Sequence, residues 1–142
     1  MRDNPWRRWE WVACLGLALL ALGLRLYRLD AQSLWNDEGT SVALAQRSLA
    51  TITRDASHDI HPPLYYYLLH IWVHLCGPSE FAVRSLSALL GTLTVTGTYL
   101  LARGRLGQAA APVAAWLAAL APLQIYYSQE ARMYIGVTLL GL

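Results

Sequence analysis

Two of the nine acidic residues in this 142-residue chain are adjacent: Asp37 and Glu38, in SLWNDEGTS at residues 33–41. The pair follows an apolar stretch and has two compatible readings. Asn36 or Asp37 caps a helix, with Glu38 suited to the positive end of the helix dipole. A carboxylate held by such a cap is also suited to general base catalysis. His61-Pro62-Pro63 is a rigid turn into a helix, or it fixes an imidazole at a helix start where it can meet a phosphate. Arg84, in SEFAVRSLSALLG, either snorkels to lipid headgroups or lays its planar guanidinium fork on a phosphate. Glu130 and Arg132, in YYSQEARMY, either fill a short polar loop or face the same pocket as the other groups. His70 and His74 are four residues apart and share a helix face with Tyr66, a spacing that can bind a metal. No Glu follows His70, however, so the metalloprotease pattern is missing and an interfacial polar stripe is the better reading.

The elements that must position these groups are apolar. The chain is 56% hydrophobic and 14% charged, against about 25% charged in an ordinary soluble domain. The apolar residues come in long blocks, which points to an all-α integral membrane protein. A net charge of +2 is too small to argue for a nucleic-acid partner. All eleven basic residues are Arg, so the chain has neither a Walker A lysine nor a Schiff-base lysine. Cys14 and Cys76 lack metal-ligand spacing, and the place of Cys14 in an apolar run argues against a disulfide. Leu24, Arg25 and Leu26 do not form a signal-peptide cleavage site, so the first apolar segment is expected to stay as an anchor. The chain closes on YIGVTLLGL, which reads as the start of a fourth span from about residue 134. Residues 1–142 are therefore expected to be the N-terminal part of one larger transmembrane domain.

Spans are expected over about residues 9–27, 81–101 and 108–126. Trp6, Trp9 and Trp11 flank the first on one side and Tyr27 on the other, as interfacial aromatics do, and Arg25 and Arg28 can snorkel at its far end. TLTVTGTY in the second span alternates like a strand, but a lone strand cannot cross a bilayer, so it is read as helix with each Thr hydroxyl bonding back. Between these spans, Val42, Ala45, Leu49 and Ile52 form one apolar stripe on a helix from about Glu38 to Ile52. HPPLYYYLLHIWVHLCG is short for a span and suits a helix lying in the interface. Arg2, Arg7 and Arg8 precede the first span, and Arg103 and Arg105 follow the second. The positive-inside rule places both groups in the cytoplasm, which puts the loop of residues 28–80 and YYSQEARMY outside. Asp37, His61, Arg84 and Glu130 then share the extracytoplasmic side.

In this order, NDEGTS, HDIHPPLYYYLLH, SEFAVRSLSALLG and YYSQEARMY resemble the motifs of glycosyltransferase family 39. That family includes protein O-mannosyltransferases, and lipid A aminoarabinose transferases are related; all are multi-span GT-C enzymes. The resemblance runs from about Trp9 over nearly the whole chain. It implies a GT-C-type helical bundle with amphipathic juxtamembrane helices in the first extracytoplasmic loop. It also implies a catalytic base at Asp37 with Glu38 beside it, donor-phosphate contacts at His61 and Arg84, and a second acidic motif at Glu130 and Arg132. That motif is Gln-Glu here where the family has Asp-Glu. Some relatives bind a divalent metal near the donor and others need none.

The expected reaction is hexosyl or pentosyl transfer from a polyprenyl-monophosphate sugar to an acceptor hydroxyl on a protein, lipid or glycan. It would invert the anomeric centre at the outer face of the plasma membrane, and this stretch of chain is expected to be inactive alone. A transporter component would carry polar groups within its spans, yet the second and third spans carry no charge past Arg84. A non-catalytic membrane subunit would use the outer acids only as helix caps, and Asp37, Arg84 and Glu130 would then not converge on one cavity.

Overall fold

The computed structural model describes residues 7–56 and 63–142, so His61 and Pro62 lie outside the described residues. Among the described residues there are eight helices and no strand. They are α1 (Arg8–Leu26), α2 (Asn36–Ala45), α3 (Leu49–Ala56), α4 (Leu64–Cys76), α5 (Glu80–Leu106), α6 (Ala110–Leu120), α7 (Pro122–Ser128) and α8 (Tyr134–Leu140).

The fold is organised around α5, which packs against α1, α4, α6, α7 and α8. Ser79 caps it by accepting the Ala82 N–H at 3.2 Å, and Glu80 complements its first turn. Gly107, at φ 96°, ends it in a conformation that side chains rarely adopt. The 27 residues between rise about 40 Å, more than a hydrocarbon core of about 30 Å. The strand-like TLTVTGTY lies inside this helix. Thr92, Thr94, Thr96 and Thr98 each donate to the carbonyl four residues back at 2.8–3.1 Å, which satisfies the hydroxyls locally.

Helices α1 and α5 are each long and apolar enough to cross a membrane. The third expected span is instead two helices, α6 and α7, bent by 60°. Pro122 lacks an N–H and forces Ala121 into extended backbone, φ −60° and ψ 119°, which breaks the ladder. On α6, Ala111, Ala115 and Ala119 are fully buried at four-residue spacing, and their small side chains let α6 approach α1 and α5 closely. The 13-residue α4 rises about 20 Å, too little for a span.

The helix expected from Glu38 to Ile52 is also two elements. Ser48 interrupts it: its hydroxyl accepts the Thr51 N–H at 3.3 Å and pairs with the Thr51 hydroxyl at 2.9 Å, starting α3 afresh. Val42, Ala45 and Ile52 remain buried together with Tyr65, Tyr66 and Leu69 of α4, while Leu49 is exposed. Two apolar clusters result. One joins α2, α3, α4 and the upper part of α5; the other joins α1, α6 and the lower part of α5.

Candidate active site

The cap of α2 differs from the expectation for Asn36 or Asp37. The N-cap is Trp35, and Glu38, as the third helical residue, reaches back to accept the Trp35 N–H at 3.4 Å. The same carboxylate is fully buried and meets Arg84 on α5 through two parallel bonds, Nε to Oε1 at 2.9 Å and Nη2 to Oε2 at 2.6 Å. Glu38 Oε1 also accepts the Ala131 N–H at 2.8 Å. Burial alone would raise the Glu38 carboxyl, but the Arg84 guanidinium and the Ala131 and Trp35 amides outweigh it and hold it below the usual range. Arg84 donates three further bonds, to the carbonyls of Leu29 at 2.9 Å, Gln32 at 2.7 Å and Ser33 at 3.2 Å. All five of its N–H groups are thus matched by protein oxygens. The arrangement ties the chain leaving α1, the start of α2, the top of α5 and the turn after α7 into one node.

Asp37 differs from its neighbour. Its side chain is 45% exposed, and its partner is Arg132, whose Nη2 lies 3.6 Å from Oδ2 and whose Nη1 lies 3.5 Å from the Asp37 carbonyl. Arg132 is itself 91% buried at its side chain, 5.6 Å over the Tyr134 ring. Burial works against its charge, and Tyr134 and Asp37 more than restore it.

A cleft of about 800 Å³ opens beside the node, lined among others by Tyr27, Arg28, Trp35, Glu38, Arg84, Tyr126, Gln129 and Glu130. Arg84 and Glu130 therefore converge on one cavity. Asp37 is not among its lining residues and stands one residue from Glu38, which is. Glu130 is buried and lines the cleft beside Tyr126. The motif after the double proline is joined to the arginine motif by Tyr65, whose hydroxyl pairs with that of Ser87 at 3.0 Å, and by Trp72, which donates to the Ala82 carbonyl at 2.8 Å. Burial pushes the Tyr65 phenol up, so it stays a neutral hydrogen-bonding group. His70 uses Nδ1 on the Ala45 carbonyl at 2.7 Å, fastening α4 to α2, and His74 uses its Nδ1 on the His70 carbonyl at 2.7 Å. Among the described residues no three His, Cys, Asp or Glu side chains are grouped to hold a metal ion.

Three structural residues of this region escaped sequence reasoning. Arg25 does not snorkel: it is fully buried and donates to the Ser128 hydroxyl at 3.1 Å and to the carbonyls of Ala21 and Ala119 at 3.1 and 3.4 Å. The Ala119 carbonyl is one of those left without a helical partner by the Pro122 break. Gly91 makes room for this contact, since a Cβ there would meet Arg25 Nε at 2.8 Å. Gln129 donates its amide to the carbonyls of Arg25 at 3.2 Å and Tyr27 at 3.1 Å, closing the orphan end of α1. An Asp at position 129 has no such donor, which gives the Gln-Glu form of the second acidic motif a physical reason. The proline and the motif glycine were the available signals.

A family model described as dolichyl-phosphate-mannose-protein mannosyltransferase matches residues 60–140. The chain belongs to this family. No curated protein and no solved structure matches it. As a mannosyltransferase-family chain it is a helical integral membrane protein of the glycosyltransferase class. The matched segment contains Arg84, Gly91, Gln129, Glu130 and Arg132, and Asp37 and Glu38 are fastened to it from outside by Arg132, Arg84 and Ala131.

Proposed function

We propose that this chain carries the base and donor side of a transferase that moves a sugar from a polyprenyl monophosphate to an acceptor hydroxyl at the extracytoplasmic face. The observation that carries this reading is the division of labour at Asp37-Glu38. Glu38 is buried, paired and saturated, so it fixes the first turn of α2. Asp37, held by that turn, keeps a carboxylate 45% exposed for an incoming hydroxyl. In the step, the acceptor oxygen bonds to the anomeric carbon and its proton passes to Asp37. The bond from that carbon to the phosphate oxygen breaks from the opposite face, inverting the centre. The leaving phosphate needs stabilisation of growing negative charge rather than a strong general acid.

Arg84 serves this reading through position, because its donors already hold Glu38 and the loop of residues 29–33. The phosphate contact is retained for His61. The orientation follows from Arg7 and Arg8 at one end of α1 and Arg103 and Arg105 at the matching end of α5. The test is transfer by the full protein in membranes supplied with polyprenyl-phosphate sugars, with products identified by mass spectrometry. Asp37→Asn is expected to slow transfer by about 10²- to 10⁴-fold while donor binding persists. Wild-type transfer by that variant would return Asp37 to a purely structural role.

A further inference from the structure

Resting on that reading, we infer that Arg132 is a further cation that meets the donor's phosphate, beside the contact kept for His61, and that it addresses base and leaving group from two of its edges. Two buried arginines face the outer site, and they differ in what remains open on them. Every N–H of Arg84 has a protein acceptor within 3.2 Å. Arg132 Nε is buried with no hydrogen-bond partner, and its Nη atoms lie 3.5 and 3.6 Å from Asp37, longer than ordinary charge-assisted bonds. A buried donor without an acceptor is rare, and here it sits on a guanidinium whose other side addresses the proposed base.

The chemistry of the ligand follows from that shape. A guanidinium offers two hydrogen-bonding edges, and the Nη side of Arg132 is turned to Asp37. The Nε edge is the planar fork that suits a phosphate's two oxygens. An anion taken there sits on the edge next to the one that faces Asp37, so a single guanidinium addresses both the base and the leaving group. The polyprenyl-phosphate sugar is a diester with one negative charge. When the bond to the anomeric carbon breaks, the electron pair stays on the phosphate oxygen and the second charge develops on a monoester. An already placed cation stabilises that product-like charge more than the ground state. The ring of Tyr134 beneath the guanidinium keeps its plane fixed.

The test uses the full protein in nanodiscs with two probes that share a tail, a polyprenyl monophosphate and the corresponding polyprenol. Wild type is expected to prefer the phosphate, and Arg132→Gln to lose about 10- to 100-fold of that preference while binding the alcohol as before. In turnover, Arg132→Gln raises the donor KM and lowers kcat, whereas Asp37→Asn lowers kcat with donor KM retained. Arg132→Lys, which keeps the charge without the fork, recovers part of the phosphate preference; it carries the binding test should Arg132→Gln fail to fold. An unchanged phosphate preference in a folded Arg132 variant overturns this inference and leaves the proposed reaction standing. A wild type that binds both probes equally overturns the reaction as well.

Discussion

Helix α5 carries two arginine–glutamate pairs built to one plan, each with a fully buried glutamate, and the Arg84–Glu38 pair borders the cleft. Glu10 is the third residue of α1 and accepts the Arg7 N–H at 2.7 Å, as Glu38 accepts the Trp35 N–H in α2. Each glutamate receives a two-pronged grip from α5, Glu10 from Arg103 with both bonds at 3.2 Å, and Glu38 from Arg84. The arginines are about 28 Å apart along the helix, close to the thickness of a hydrocarbon core. Each pair thus pins a neighbouring helix start at its own end of α5. The difference lies in what else each one holds. Tyr99 adds its hydroxyl to the Glu10 carbonyl at 3.2 Å, so that node fastens α1 to α5. The Arg84 node also gathers three loop carbonyls and the Ala131 amide, and it ends beside the most exposed carboxylate of the site. One plan of capping and pairing therefore fastens α1 to α5 at one end and, at the other, frames the carboxylate proposed as the base.

The largest effect that could break this comparison comes from removing the guanidinium of the outer node. Arg84→Met leaves Glu38 buried without its partner and releases the carbonyls of Leu29, Gln32 and Ser33. Breaking such a pair costs about 3–5 kcal/mol, and both thermal stability in detergent and transfer should fall. A variant that lost transfer while keeping its full Tm would show that Arg84 acts on substrate directly rather than through the frame.

Next in size is Gly91→Ala, between the two nodes on α5. The added methyl would meet Arg25 and the Ser128 hydroxyl. Overpacking of this kind costs about 1–3 kcal/mol, and it should loosen α7 from α1 and α5. Trypsin or cysteine-labelling access to the segment of residues 122–133 checks it, and unchanged protection would mean that α5 can yield at this point.

Glu10→Gln sharpens the comparison from the other side. It removes the charge from the inner pair, so Tm should drop, by less than in Arg84→Met, with kcat and donor KM unchanged. Loss of transfer at full occupancy would show that the inner node is coupled to the chemistry and that the two ends are not separable.

How far the sequence disclosed this arrangement depends on the range of the signal. The threonine helix and the two long spans are written in local periodicity, and each is found; the stripe expected on one helix from Glu38 to Ile52 is split at Ser48 and loses Leu49 to the surface. Asp37, Arg84, Glu130 and Arg132 could be placed on one side by charge parity. What local pattern could not supply was partnership. Adjacent acids look alike in sequence, yet Glu38 sits at the helix position that points back to the cap and inward to α5, while Asp37 points toward solvent and Arg132. Arg25 looked like a snorkelling end residue because nothing in α1 announces the broken helix, far along the chain, whose free carbonyl it meets. The fork in α6–α7 had a local cause in Pro122, but in a run of alanines that passes for one span.

The smallest predicted effect concerns pH and isolates the outer node from the rest of the molecule. The Glu38 carboxyl is held below its ordinary 4.5 in the folded protein. Its contribution to stability is therefore complete above that value and is lost as the pH falls through the lowered folded-state value. Other carboxylates titrate in the same region, so the informative quantity is the difference in Tm between wild type and Glu38→Gln. That difference should be constant from neutral pH down to about 5 and shrink at more acid values, as protonated Glu38 comes to resemble glutamine. Arg84 stays charged throughout, so the change belongs to the carboxylate alone. A difference that persists undiminished into acid would mean that Glu38 stabilises α2 through the shape and hydrogen bonding of its side chain, and that the charge of the pair contributes little.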